Sequence, residues 1–173
     1  MDTAQLLDSD SIIAGGDGHE QYLTFMLAGE EYGVDILRVQ EIKGWDNATR
    51  IPNTPEYVQG VINLRGTIVP IIDLRMRFGL EKLEYGPTTV VVVLKVESDV
   101  KNRTMGIVVD GVSDVYSVTG DELKPTPDFG DDVNAEFVKG LATIDEKMVI
   151  MLDIDKLLNS HELSVLDTVA TTG

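Results

Sequence analysis

Cysteine, histidine and long apolar runs are scarce or absent in this 173-residue sequence. With no Cys, the chain can form no disulfide, thiolate nucleophile or thiolate metal site. The two histidines, His19 and His161, stand at the edges of the candidate folded segment, which argues against a buried histidine-based site. The longest apolar run, residues 90–94, is far shorter than the roughly 20 residues that span a bilayer as a helix. We therefore expect no transmembrane helix.

Basic side chains are also few. The sequence has 14 Lys and Arg against 30 Asp and Glu, a formal net charge of −16 that repels nucleic-acid phosphates and anionic lipid headgroups. Residues 1–20 contain no basic segment followed by an apolar run, so no export signal is predicted. These features predict a cytoplasmic protein without a nucleic-acid partner and without direct membrane insertion.

Composition divides the chain into a body and two tails. Residues 1–19 combine Asp, Ser and Gly with little periodicity, and residues 164–173 end in small polar side chains. Both segments are predicted to be flexible tails. The folded body is predicted to cover residues 20–163, which is long enough to bury a hydrophobic core.

The apolar residues of the body form short clusters that are rich in β-branched side chains and separated by Gly, Pro, Asn and Asp. This pattern predicts strands and a mainly β protein. Two segments instead place an Asp before an apolar i, i+4 pattern, which predicts short capped helices at 73–78 and 153–158. The apolar clusters lie at 22–27, 32–36, 61–64, 68–74, 90–96, 105–109, 112–118 and 148–154.

The body contains an internal repeat. Residues 56–61 and 69–74 match residues 136–141 and 149–154 in one constant register, without a gap. Upstream, residues 33–42 match 106–115, but the offset between matching positions is smaller by seven. Pro52 and Pro125 keep this smaller offset. The difference predicts one insertion near 128–135. Two units of about five short strands each are therefore expected, and such units tend to close into small barrels that remove their edges.

The repeat places Asp73 and Asp153 at matching positions, which allows two interpretations. In a duplicated-barrel enzyme the two carboxylates could share one proton and act in catalysis. Alternatively, each Asp accepts hydrogen bonds from free N–H groups in the first turn of its helix. Capping is favoured because each Asp begins an apolar helical pattern. No phosphate-binding Gly-rich loop or nucleophile elbow occurs in the sequence, and we expect no catalytic residue, metal or cofactor.

One charged turn interrupts two apolar strands. Asn63-Leu64-Arg65-Gly66 predicts a tight hairpin in which Gly66 has a positive φ and Arg65 points into solvent or a groove. A turn that merely contains an arginine is the alternative. Glu41 lies among apolar residues of a candidate strand, and its pairing with Arg65 at a lobe edge is a further expectation.

Five segments resemble the chemotaxis coupling family CheW, and the likeness extends over nearly the whole body from residue 20 to residue 163. An ordered match of this length is far more specific than any single motif. The segments are EYGVDILRVQEI at 31–42, IPNTP at 51–55, GVINLRG at 60–66, VPIIDLR at 69–75 and GIVVDGVSDV at 106–115.

The resemblance implies two intertwined SH3-like five-stranded β-barrel lobes with short helices. It also implies a non-enzymatic signal-transduction adaptor that couples methyl-accepting chemoreceptors to the histidine kinase CheA. Such an adaptor binds the cytoplasmic receptor tips and the regulatory domain of the kinase, and it is recruited to receptor arrays at the inner face of the cell membrane. A CheV-like adaptor would carry a receiver domain, for which the ten residues after Leu163 leave no room.

The resemblance also implies which residues bind each partner. A receptor helical hairpin is expected in the groove between the lobes, and two kinase contact regions are expected elsewhere. The acidic insertion near 128–135 and the charged hairpin at 97–103 depart from the family pattern. The implied receptor-binding residues are Ile36, Val39, Glu41, Ile42, Arg65, Val90, Gly106, Val112 and Val115. The implied kinase-binding residues are Gly60, Lys124 and Phe129.

Overall fold

The computed structural model describes residues 19–81, 84–98, 102–125 and 137–159. Ten strands dominate these segments, as two units of about five strands each predict, and the mainly β fold is confirmed, although no apolar cluster marked β3 or β9. The strands are β1 His19–Leu27, β2 Glu30–Asp35, β3 Val39–Gly44, β4 Val58–Leu64, β5 Thr67–Asp73, β6 Val90–Val96, β7 Arg103–Val109, β8 Gly111–Thr119, β9 Val138–Ile144 and β10 Lys147–Leu152. Two short helices, α1 Leu74–Arg77 and α2 Ile154–Leu158, follow β5 and β10, and a 3₁₀ turn, Ile36–Arg38, connects β2 to β3.

The strands form two five-stranded sheets, and each sheet combines both repeats. Lobe 1 has the order β8-β1-β2-β10-β9, and lobe 2 has the order β3-β6-β7-β5-β4. The first repeat, β1–β5, gives two strands to lobe 1 and three to lobe 2, and the second repeat, β6–β10, does the reverse. The parallel pairs β10–β2 and β7–β5 join strands of different repeats. The intertwined arrangement that the resemblance implies is therefore present.

Each lobe is brought close to a complete ring by one isolated bridge. After β3, the chain continues to Thr49, which exchanges two backbone hydrogen bonds of 2.8 and 2.9 Å with Val61 on β4. After β8, Lys124 exchanges bonds of 2.7 and 2.8 Å with Leu141 on β9. The continuation of one edge strand thus reaches the opposite edge strand in both lobes, which limits unpaired sheet edge although neither sheet closes through a full strand pair.

The bridges correct the position of the predicted insertion. Because Val61 and Leu141 are equivalent, Thr49 and Lys124 occupy the same place in the two lobes. Two of the seven additional positions in the second repeat therefore precede Lys124, and Pro125 does not take the place of Pro52. The other five fall between Lys124 and Leu141. Residues 126–136 of this stretch, and with them the whole predicted insertion at 128–135, lie outside the described residues.

A charged contact also joins the edge strand β9 of the lobe 1 sheet to β1, the second strand from the opposite edge. The ammonium group of Lys139 on β9 lies 3.0 Å from the Glu20 carboxylate and 5.2 Å from the centre of the Tyr22 ring, both on β1. Burial is the largest single influence on Lys139 and lowers its pKa, but hydrogen bonds with Tyr22 and Glu20 outweigh burial and raise the pKa to about 12. Lys139 therefore stays charged in its contact between β9 and β1.

One hydrophobic core runs through both lobes. Its buried members come from β1, β2 and β10 of lobe 1, from all five strands of lobe 2 and from both α-helices. A smaller cluster around Ile71 and Val91 fills the far side of lobe 2, and another around Tyr22 and Met151 fills lobe 1. The shared core holds the two lobes together. Among the residues that the structure describes, no helix is long and apolar enough to cross a membrane.

An ion pair fixes each strand crossover between the lobes. At the Ile36–Arg38 turn, the guanidinium of Arg38 donates to both carboxylate oxygens of Asp155 on α2, at 2.9 and 2.7 Å. The same carboxylate accepts a 2.8 Å bond from the backbone N–H of Glu97. Such bidentate, charge-assisted bonds are among the stronger polar contacts in proteins.

The second crossover has an equivalent ion pair with the charges exchanged, so that the helix carries the cation and the connecting turn carries the anion. Arg75 on α1 donates to Asp110, between β7 and β8, with bonds of 3.0 to 3.2 Å. Asp110 also accepts a 2.9 Å bond from the backbone N–H of Ala28. Arg75 and Asp155 are equivalent in the repeat, in the same register as Asp73 and Asp153. One position therefore carries a cation in one repeat and an anion in the other.

Candidate partner-binding surfaces

The implied receptor-binding residues concentrate on the edge strands of the two sheets. Val39 and Ile42 lie on β3 of lobe 2, and Val112 and Val115 lie on β8 of lobe 1. Val39 is buried, and the other three are half-buried and pack against the core that the lobes share. We call these four side chains the seam. The repeat equates them in pairs, Val39 with Val112 and Ile42 with Val115.

A β-bulge sets the orientation of the seam residues on β3. Val39 faces Leu94 and Ile42 faces Val92, so three steps along β3 match two steps along β6. In a regular strand, residues three apart point to opposite faces. The extra residue of the bulge brings Val39 and Ile42 to the same core, while Glu41, which faces Val93, lies on the other face of β3.

The same irregularity occurs on β8. Val112 faces Phe25 and Val115 faces Leu23, again with three steps against two. Both edge strands therefore present a pair of apolar residues, three apart, to the common core. The sequence repeat contains this spacing. The bulge that turns both residues to one face cannot be recognised without the strand pairing.

Two other implied receptor-binding residues are less accessible, and a third is half-buried like most of the seam. Ile36 is 3% exposed within the 3₁₀ turn, and Gly106 is buried on β7. A Cβ atom on Gly106 would lie 2.7 Å from Ile71 Cδ1 and 2.8 Å from Val91 Cγ1, so glycine is needed there for close packing. Val90 begins β6 beside Gly44 and is half-buried. In this structure Ile36 and Gly106 can affect a partner only by positioning their neighbours.

The expected ion pair between Glu41 and Arg65 is present. Arg65 and Gly66 form the two-residue turn between β4 and β5 with φ values of 51° and 91°, the geometry of a type I′ hairpin. Asn63 accepts a 2.7 Å hydrogen bond from the Gly66 N–H and stabilises the turn. The Arg65 guanidinium donates to the Glu41 carboxylate while most of the arginine side chain stays exposed. Such a pair contributes about 0 to 1 kcal/mol to stability and can orient a partner.

Two of the three implied kinase-binding residues lie at the isolated bridges. Gly60 has a φ of 132°, and a Cβ atom there would lie 2.2 Å from the Thr49 carbonyl oxygen. Lys124 forms the equivalent bridge in lobe 1, beside Gly140, where an added Cβ would lie 2.8 Å from the Lys124 carbonyl oxygen. The structure thus places Gly60 and Lys124 near equivalent ends of the two lobes. Phe129 lies outside the described residues.

A surface cavity beside the lobe 2 bridge was not predicted. The cavity has a volume of about 200 Å³ and lies between the ends of β3 and β4. Its apolar lining comes from Trp45, Val61, Ile62 and Val91, and Lys43 is among its polar lining residues. These residues come from three separate parts of the sequence, so no local pattern could have revealed them.

The two candidate catalytic carboxylates cap helices, as the favoured interpretation predicts. Asp73 accepts a 3.2 Å hydrogen bond from the Met76 N–H, and Asp153 accepts a 3.1 Å bond from the Lys156 N–H. Asp73 ends β5 and Asp153 follows β10, and these strands belong to different sheets. Within the described segments, no group of three or more His, Asp or Glu side chains is placed to hold a metal ion.

Asp73 also accepts a hydrogen bond from a distant side chain. The Tyr85 hydroxyl donates to the buried Asp73 carboxylate at 2.5 Å. Burial, followed by this hydrogen bond, raises the pKa of Tyr85, so the phenol remains a proton donor. The contact ties the connection between β5 and β6 to the start of α1.

The architecture defines a class, namely proteins of two intertwined five-stranded SH3-like lobes that share a core. The family model for the CheW-like domain matches residues 21–162. The chain belongs to the CheW family.

Named relatives agree with this assignment. Chemotaxis protein CheW of Klebsiella aerogenes is 49% identical over 160 residues, covering 92% of this chain and 94% of the relative. Chemotaxis protein CheW of Rhizobium meliloti (strain 1021) is 36% identical over 146 residues, covering 84% and 92%. The crystal structure of the scaffolding protein TtCheW from Thermoanaerobacter tengcongensis has a TM-score of 0.73 and 33% identity, covering 83% of this chain and 90% of that one.

Proposed function

We propose that this protein is a non-enzymatic cytoplasmic adaptor that couples methyl-accepting chemoreceptors to the histidine kinase CheA. The observation that carries the proposal is the seam, an apolar strip made by equivalent edge strands of two lobes in a protein of the CheW family. The names of the relatives, which are chemotaxis and scaffolding proteins, support the same role.

The two partners bind separate surfaces of the protein. The seam receives the helical hairpin at the cytoplasmic tip of a receptor, with Ile42, Val112 and Val115 as apolar contacts. Glu41 and Arg65 orient the hairpin, because the Arg65 side chain of this ion pair is mostly exposed. The kinase regulatory domain binds the bridge ends near Gly60 and Lys124, and Phe129 belongs to the second of these regions.

The adaptor works by binding alone. Asp73 and Asp153, the carboxylates that an enzymatic alternative would need, are engaged as helix caps in different lobes. Receptor and kinase are held on separate parts of one body, so a change in the receptor tip reaches the kinase through the shared core. The protein is recruited to receptor arrays at the inner face of the membrane by these contacts.

Two measurements test the proposal. The first is co-sedimentation of the protein with receptor-containing membranes, with and without the kinase, and the second is kinase autophosphorylation in the same mixtures. We expect receptor-dependent kinase activation that requires this protein. An Arg65→Glu variant should weaken receptor binding. Lys147→Glu, beside the equivalent hairpin of lobe 1, makes the same kind of charge reversal at an exposed site and should bind as the wild type does. Binding of the wild type to neither partner would contradict the proposal.

A further inference from the structure

Two neighbouring residues of the 3₁₀ turn have opposite environments. Ile36, which the resemblance places among the receptor-binding residues, is 3% exposed, whereas Leu37 is 63% exposed. Of the large hydrophobic side chains that the structure describes as exposed, Leu37 is the most exposed. A partner approaching this turn therefore meets Leu37 and not Ile36.

The turn holds Leu37 in a fixed position. On one side, the Asp35 carboxylate accepts a 3.0 Å hydrogen bond from the Leu37 N–H. On the other side, Arg38 is fixed by its two bonds to Asp155 and by a 3.1 Å bond to the Lys95 carbonyl oxygen. A side chain on a turn fixed at both ends loses little backbone freedom on binding, which favours its use as an anchor.

The fold itself does not require a leucine at this position. By the repeat, Leu37 is equivalent to Asp110 at the second crossover, in the same register that equates Val39 with Val112. Asp110 is occupied by Arg75 and the Ala28 N–H, and that crossover forms with a carboxylate in place of an apolar side chain. Leu37 therefore has no structural task of the kind that Asp110 performs. Its exposed side chain is therefore available for contact with a partner.

We propose that Leu37 is an apolar anchor buried by the receptor tip, an inference that rests on the function proposed above. The turn leads directly into β3, so Leu37 stands two residues before Val39 at the start of the seam. The implied kinase contacts are on β4 and on the bridge after β8, away from this turn. An amphipathic helix that lies along the seam presents its apolar residues at one-turn spacing and can cover Leu37 together with Val112 and Val115.

Binding of a purified receptor cytoplasmic fragment to the full-length protein and its variants tests the proposal. Leu37→Ala should raise the dissociation constant about 10- to 100-fold, the range of a buried hot-spot residue, and Leu37→Asp should raise it further. Neither change should lower the thermal unfolding midpoint, because the side chain is exposed. Met148→Ala is the matched control: Met148 is 55% exposed on β10 in lobe 1, and its loss should leave receptor affinity unchanged.

Kinase binding and Ile36 supply two further comparisons. Leu37→Ala should bind the kinase regulatory domain as the wild type does. Ile36→Ala should mainly lower the unfolding midpoint, because it leaves a cavity in the shared core. Unchanged receptor affinity in both Leu37 variants, with the wild type binding normally, would overturn the inference. So would a loss confined to kinase binding. A wild-type protein that binds no receptor fragment would instead overturn the proposed function and the choice of Leu37's partner with it.

Discussion

At the scale of single residues, the repeat places equivalent side chains in unequal surroundings. Asp73 and Asp153 are equivalent, and both cap a short helix. Asp73 is 2% exposed and also accepts the Tyr85 hydroxyl, whereas Asp153 is half-buried. The equivalent aspartates therefore both cap a helix, and Asp73 in addition accepts a hydrogen bond from a residue distant in sequence.

This difference predicts unequal losses of stability. Asp153→Ala should lower the free energy of unfolding by about 1 kcal/mol, the usual value of an N-cap. Asp73→Ala should cost about 2 to 4 kcal/mol, because the half-buried Tyr85 hydroxyl also loses this acceptor. Urea unfolding of the two variants measures both values. Equal losses would show that the contact with Tyr85 contributes nothing, and a hydrolytic activity abolished by either change would support the enzymatic alternative.

Exposure also separates neighbours that the sequence treats alike. Ile36 and Leu37 are adjacent apolar residues within the segment that resembles the CheW family, and the resemblance selects Ile36 as a receptor contact. Which of the two points inward depends on the 3₁₀ geometry of the turn and on where β1 and β6 lie. The contact of Ile36 with a partner remains a prediction, and its burial restricts how such a contact can act.

At the scale of elements, each sheet is brought close to closure by a short continuation of one edge strand. The bridge between Thr49 and Val61 depends on Gly60, whose positive φ and missing Cβ let the Thr49 carbonyl approach closely. The bridge determines how the end of lobe 2 and the adjacent cavity are shaped. It therefore contributes both to packing and to the proposed kinase contact.

Gly60→Ala should displace the Thr49 segment. The added methyl would overlap the Thr49 carbonyl, and the φ of 132° is unfavourable for alanine, so we expect a loss of about 1 to 3 kcal/mol in the free energy of unfolding. The matched control is Gly44→Ala at the end of β3, where no atom lies within 4 Å of an added Cβ. The control should change stability by less than about 0.5 kcal/mol. Thermal or urea unfolding that shows equal stability for both variants would refute this account of Gly60.

At the scale of the whole molecule, the exchange of strands makes neither repeat an independent unit. Lobe 1 takes β1 and β2 from the first repeat and β8 to β10 from the second, and lobe 2 takes the remaining strands. The shared core and the two crossover ion pairs, between Arg38 and Asp155 and between Arg75 and Asp110, belong to both lobes. A structural change at the seam therefore affects both lobes.

Cutting the chain between Gly86 and Pro87 should separate the repeats without leaving a folded lobe. Each fragment, 1–86 or 87–173, would expose strand edges and half of the shared core, so neither should unfold cooperatively alone. An equimolar mixture should recover the near-ultraviolet signal of Trp45 and a single cooperative transition. Cooperative unfolding of either isolated fragment would show that a repeat can fold without its partner strands.

The sequence by itself determined the composition of the elements and their duplication. Alternating and β-branched runs specified the strands, Asp before an apolar turn specified both capped helices, and the constant register between 56–74 and 136–154 established equivalence without any structure. The hairpin at Arg65 was also predictable, because turn type is a local property, whereas its expected pairing with Glu41 was confirmed only by the contact between separate strands. The resemblance indicated the family and the intertwined lobes.

Only the tertiary structure decided which residues meet and which face outward. The β3 and β8 bulges, the equivalence of Thr49 and Lys124, and the exposure of Leu37 beside a buried Ile36 depend on strands that are distant in sequence. Burial and register are properties of the assembled sheets, since a shift of one residue reverses the face of every side chain. A local pattern records what a segment can form, and packing against the other repeat selects what it does form.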